Sequence, residues 1–132
     1  MREILFRGKR CDNGEWVEGD LHQYNHQYDY IIDKFDFRYP VVHSSVGRYT
    51  GLEDNNGKRI FEGDILQIIG YDEMIQRFTI GYGIHDSFGG SKDIVGFFLC
   101  WECDIDKQRK YSNIVYWINE REAVCVGNIH DK

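Results

Sequence analysis

At 132 residues and a net charge of −6, the chain is long enough for one domain or two very small ones, and it lacks the basic surplus that strong nonspecific phosphate binding requires. Eight Phe, nine Tyr and three Trp, with fourteen Gly and a single Pro, favour strands and turns over helices, so the expected class is mainly β. No eighteen apolar residues run together and Met1–Arg7 is not followed by a signal-like apolar core, so the expected compartment is cytoplasmic, with Cys11, Cys100, Cys103 and Cys125 as thiols.

In chain order, Ile4 and Phe6 alternate with charged neighbours, which reads as a half-buried strand. Cys11-Asp12-Asn13-Gly14 turns it into Glu15–Leu21, and the pair predicts an N-terminal hairpin. His22 to Phe37 is polar and rich in tyrosine around Tyr30-Ile31-Ile32, where one strand with mobile flanks is expected. Pro40 pushes Tyr39 toward extended geometry, and Val41-Val42-His43 continues it.

The stretch Val46–Leu66, VGRYTGLEDNNGKRIFEGDIL, organises the rest. Asp54-Asn55-Asn56-Gly57 is a tight turn, since Asn and Asp fold onto their own backbone and Asn-Gly is the strongest short hairpin signal. Tyr49-Thr50 and Arg59-Ile60-Phe61 are therefore expected to approach each other. Glu62-Gly63-Asp64 forms a corner, with the Asp64 side chain capping the backbone, and Ile65–Ile69 is a core strand.

Further along, Met74–Tyr82 reads as a strand with Phe78 and Ile80 facing one way and Ile75, Arg77 and Thr79 the other. Asp86–Ser91 is a loop, and the apolar run Ile94–Trp101 is a strand covered on both faces. Tyr111–Trp117 is expected as another strand, Trp117–Glu122 as one helical turn, and Ala123–Ile129 as the closing strand. Five strands at short regular spacing suit a small barrel.

The order Gly47-x-Tyr49-Thr50-Gly51-x-x-Asp54-x-x-Gly57, continued by Phe61-Glu62-Gly63-Asp64, resembles the YopX-like family of phage and prophage proteins. Phe6–Lys9 with Gly14–Gly19 resembles that family's opening, and Val126-Gly127-Asn128-Ile129-His130 its close. The resemblance implies a mostly β protein with a C-terminal SH3-like barrel and few or short helices, encoded by mobile elements and without an established activity. It brings no catalytic residues to carry over. Residues 1–45 are then an N-terminal β region, and 46–132 hold the motif and barrel, expected to pack as one unit.

Candidate chemistry competes with plainer readings. Cys100-x-x-Cys103 has zinc-ligand spacing, but Cys11 and Cys125 are isolated, and Cys100 sits in the most apolar run, where a cysteine behaves as a small hydrophobe. Asp54-x-Asn56-Gly57 lacks the calcium-loop glycine at position six and the acid at position twelve. Glu62 and Asp64 with His43 or His85 make an acid-base set only if folding unites them. Tyr24, Tyr28, Tyr30, Phe35, Phe37 and Tyr39 on a polar segment are a candidate partner surface, and Asp29, Asp33 and Asp36 among them disfavour nucleic acid. The expectation is a non-enzymatic binding or regulatory module without cofactor or metal and without membrane attachment. It is expected as a homo-oligomer, with a host or phage protein as a possible partner. The rival is a small enzyme or metal-dependent protein using Glu62, Asp64 and the cysteines.

Overall fold

A computed structural model describes residues 5–24, 28–69, 73–86, 93–101 and 114–131. It divides into two compact units, Met1–Gly51 and Leu52–Lys132.

The first unit is built from β1 (Phe6–Lys9), β2 (Trp16–Tyr24), β3 (Tyr28–Ile32), β4 (Arg38–Val41), a 3-10 turn at His43–Ser45, and β5 (Gly47–Glu53). The strand order is β4-β3-β2-β1-β5. The N-terminal hairpin is as expected, with Phe6 opposite Gly19 and Lys9 opposite Trp16. Gly19 also lets the end of β3 come close to β2, because a Cβ there would sit 2.1 Å from the carbonyl oxygen of Ile32. His22–Tyr24, expected as a mobile flank, extend β2 instead, since β3 supplies partners from Asp20 opposite Ile32 to Tyr24 opposite Tyr28. At the other end β4 meets the chain after β1: Cys11 N–H donates to Pro40 O and Val42 N–H to Lys9 O, both at 2.9 Å.

Apolar burial here is thin, centred on Ile31, Val41 and Tyr49. Basic side chains laid over rings supplement it. The Arg7 guanidinium stands 4.4 Å from the Trp16 centroid and that of Arg10 4.7 Å from Tyr39, so the alkyl stems cover apolar surface while the charges meet π faces.

In the second unit, the Asp54–Lys58 turn leads to β6 (Arg59–Phe61), and then β7 (Asp64–Ile69), β8 (Ile75–Asp86), β9 (Asp93–Trp101), α1 (Ile114–Arg121) and β10 (Val124–Asn128) follow. The last four strands form an antiparallel sheet ordered β10-β7-β8-β9. Period-two alternation decides its faces: Leu66, Ile68, Phe78, Ile80 and Leu99 are buried, whereas Ile69, Ile75 and Arg77 are exposed. Ile114 and Ile118, four residues apart on α1, join that core with Ile60 and Ala123. Each fully buried side chain of this size contributes about 1.5–3 kcal/mol. Trp117 packs edge-on to Trp101 at 5.0 Å and against Phe78 at 6.2 Å.

The fold is mainly β with one short helix, but the expected SH3-like barrel is not closed. The strand expected at Tyr111–Trp117 is, where described, the start of α1. Its β-branched and aromatic residues carry strand propensity, yet Ile114 and Ile118 at helical spacing bury a stripe against the sheet, and tertiary burial outweighs propensity. Among the described residues the sheet then has four strands and is not closed. Of the expected loop Asp86–Ser91, Asp86 instead ends β8 opposite Asp93, and residues 87–91 lie outside the described residues.

Candidate functional site

The central motif becomes a set of hydrogen bonds. Asp54 is buried, and its Oδ1 accepts the N–H groups of Asn56 and Lys58, both at 2.9 Å, which sets the turn locally. Its other oxygen, Oδ2, accepts the N–H of Cys125 in β10 at 2.8 Å. Asp64, 1% exposed, repeats the arrangement: Oδ2 accepts from Phe61 N–H at 2.8 Å and Oδ1 from Asn128 Nδ2 at 2.9 Å. Between them Gly63 donates to Ile80 O at 2.7 Å and accepts from Ile129 N–H at 2.9 Å. Gly63 holds φ at +88° and Gly57 at +81°, angles that side chains with a Cβ rarely adopt. Asn128 in turn accepts from His130 N–H through Oδ1. The two acids thus clasp β10 near both ends, each carboxylate satisfied by N–H donors as a buried acid must be.

Other motif residues lie in the first unit. Gly47, Tyr49 and Thr50 are buried on β5, and Gly51, exposed, has φ +85°. Of the acid-base set of the rival reading, both Asp64 oxygens accept N–H donors, Glu62 is half-buried, and His43 Nδ1 lies 2.6 Å from Asp29 Oδ2. Cys11 is exposed, Cys100 and Cys125 are half-buried, and all three are free thiols. Among the described residues no three His, Cys, Asp or Glu side chains are grouped to hold a metal ion. Cys103 and the His85 side chain lie outside the described residues.

The aromatic segment divides by position. Tyr24 and Tyr28 face each other in register, with side chains outside the described set, and Tyr30 is half-buried opposite Pro40. Phe35 and Phe37 stand out, 69% and 62% exposed. Their turn is fixed by Asp33, whose Oδ1 accepts from Phe35 N–H at 2.9 Å and Phe37 N–H at 3.0 Å, while Asp33 N–H donates to Phe37 O. Asp36 takes a left-handed φ of 67° to close it. An aspartate two and four residues ahead of the rings was the sequence signal for this lock. The Arg10–Asp12 pair lies elsewhere on the first unit, in the β1–β2 turn. It is exposed and bidentate at 2.9 and 2.6 Å, and it holds the Asp12 carboxyl below its ordinary range and Arg10 above its own, chiefly through those hydrogen bonds.

A family model described as YopX protein matches residues 5–132, and so takes in the clasp, the Asp33 turn and β10. The chain belongs to the YopX family. No curated protein and no solved structure matches it. Within the YopX motif, the sequence reading identified Asp54, Gly57, Gly63 and Asp64 but not what they hold. Cys125 N–H and the Asn128 amide were missed as their targets, and the one pointer was Asn128 in the segment resembling the family's close. No helix among the described residues is long and apolar enough to cross a membrane.

Proposed function

We propose that this YopX-family chain is a non-enzymatic binding module of phage or prophage origin that presents Phe35 and Phe37 to a protein partner. The observation behind this reading is the Asp33–Phe37 turn, where two large apolar rings are exposed on a backbone held by one carboxylate. Rings already fixed in place lose little freedom on docking, and buried aromatic anchors dominate protein interfaces. Asp36 beside the rings disfavours phosphates, so a protein is the better fit than nucleic acid. Asp54 and Asp64 support the same reading, because their oxygens are occupied in holding β10 and its neighbouring backbone.

The first partner to test is a second copy of the chain, since twenty aromatics are a heavy load for 132 residues and Phe35 and Phe37 stay exposed. Light scattering after size exclusion, alongside quantitative capture from host lysate, compares the natural chain with a Phe35→Ser, Phe37→Ser variant. The expected result is a multimer, or a specific captured protein, that the variant loses while its melting temperature is unchanged. A natural chain that stays monomeric at high concentration and captures the same proteins as the variant overturns the proposal. Elemental analysis and thiol titration of the same sample test the rival metal-dependent reading.

A further inference from the structure

We infer that the Asn56–Gly57 step is a self-modification site, at which the side-chain amide is lost and the clasp on β10 loosens with age. Both residues are exposed at the tip of the Asp54–Lys58 turn, and a Cβ on Gly57 would meet nothing within 4 Å, so the step is open to solvent on that side. The Asn56 carboxamide has no hydrogen-bond partner among the described residues; its backbone N–H alone is engaged, with Asp54. It is free to rotate onto the following peptide nitrogen.

The chemistry needs only water. When the turn opens and the Gly57 N–H releases Asp54 O, which it holds at 3.0 Å, a solvent base removes that proton. The nitrogen attacks Asn56 Cγ, a Gly57 N–Cγ bond forms, the Cγ–NH2 bond breaks, and the amine leaves as ammonia after taking one proton. Water then opens the five-membered imide at either carbonyl, giving an aspartyl or an isoaspartyl linkage at position 56.

A second Asn-Gly step supplies an internal contrast. Asn13 and Gly14 are exposed too, and Gly14 N–H is likewise engaged, with Arg10 O at 3.0 Å. The Asn13 carboxamide, however, is tied down by Glu15 N–H, which donates to its Oδ1 at 2.9 Å. Asn56 therefore reacts before Asn13.

The consequence follows from the clasp. An isoaspartyl linkage puts an extra main-chain carbon between the Asn56 and Lys58 N–H groups, both of which Asp54 Oδ1 must accept at once. The fork cannot keep both, and the same carboxylate holds Cys125 N–H. Strand β10 is then held less firmly at that end.

The test incubates the full-length chain at mildly alkaline pH and follows both sites by peptide mapping with mass spectrometry and isoaspartate detection. Conversion at position 56 is expected to run several times faster than at position 13, and the difference is expected to vanish in denaturant. Hydrogen exchange in the modified fraction is expected to be faster at the Cys125 amide than in unmodified chain. An Asn56→Ser variant, which keeps the turn's backbone bonds, is expected to leave Cys125 exchange constant through the incubation. Equal or faster conversion at Asn13 in the folded chain overturns the assignment, and unchanged Cys125 exchange in the isoaspartyl fraction overturns the coupling to β10.

Discussion

Replacing Asp64 by Ala is the sharpest test of the clasp. The side chain is 1% exposed and accepts two hydrogen bonds, from Phe61 N–H at 2.8 Å and Asn128 Nδ2 at 2.9 Å. Truncation leaves both donors buried without an acceptor, and each such orphan costs about 1–3 kcal/mol. The sum is about 2–6 kcal/mol, or roughly 8–24 °C in melting temperature at about 4 °C per kcal/mol for a chain of this size. Thermal unfolding followed by near-ultraviolet circular dichroism reads it directly, because Trp101 and Trp117 meet edge-on in the affected unit. Asp64→Asn keeps shape and one acceptor, so about half the loss is expected. A cycle with Asn128→Ala isolates the contact and is expected to return a coupling of about 0.5–3 kcal/mol. If Asp64→Ala melts within a degree of the natural chain, the clasp contributes nothing and the reasoning fails.

Gly63→Val is expected to cost more than Gly57→Val. Both need positive φ, each worth about 1–3 kcal/mol of strain, but a Cβ at position 63 also lies 3.1 Å from Asn128 Nδ2 whereas one at 57 meets nothing. Equal melting shifts in the two variants would refute the steric part. Asp33→Ala is expected to lose about 1 kcal/mol of turn stability and to weaken partner binding by making Phe35 and Phe37 mobile; unchanged binding would show that the lock is irrelevant to recognition. The Asp12 carboxyl, lowered by Arg10, contributes stability that is present above its unfolded value and lost as pH falls through the folded one. Because Asp12 is exposed and its pairing is screened by solvent, Asp12→Asn is expected to leave the melting temperature at neutral pH within error and only to flatten the acid limb, which a pH series of melts decides.

How much was legible depended on the range of the interaction. The Asp54–Gly57 turn, the Gly63–Asp64 corner and the facing of Phe78 and Ile80 were all readable, because each is set by residues within a few positions of one another. The lock at Phe35 and Phe37 lay within reach for the same reason, since Asp33 binds N–H groups two and four residues on. The partner side of the motif was not legible. Asp54 reaches Cys125 across 71 residues and Asp64 reaches Asn128 across 64, and no local pattern specifies which distant donor a carboxylate will find.

The sequence by itself determined a mainly β chain, its principal turns, most of its strands and its family, because alternation, glycine at positive φ and Asx turns are properties of short segments. Only the tertiary structure decided that Ile114–Tyr116, expected in a strand, join the helical turn expected from Trp117, and that the sheet beneath stays open among the described residues. Helix and strand compete there on nearly equal local terms. Burial of Ile114 and Ile118 against a sheet formed by residues far away in the chain tips the balance, and the same long-range folding brings Cys125 and Asn128 to Asp54 and Asp64.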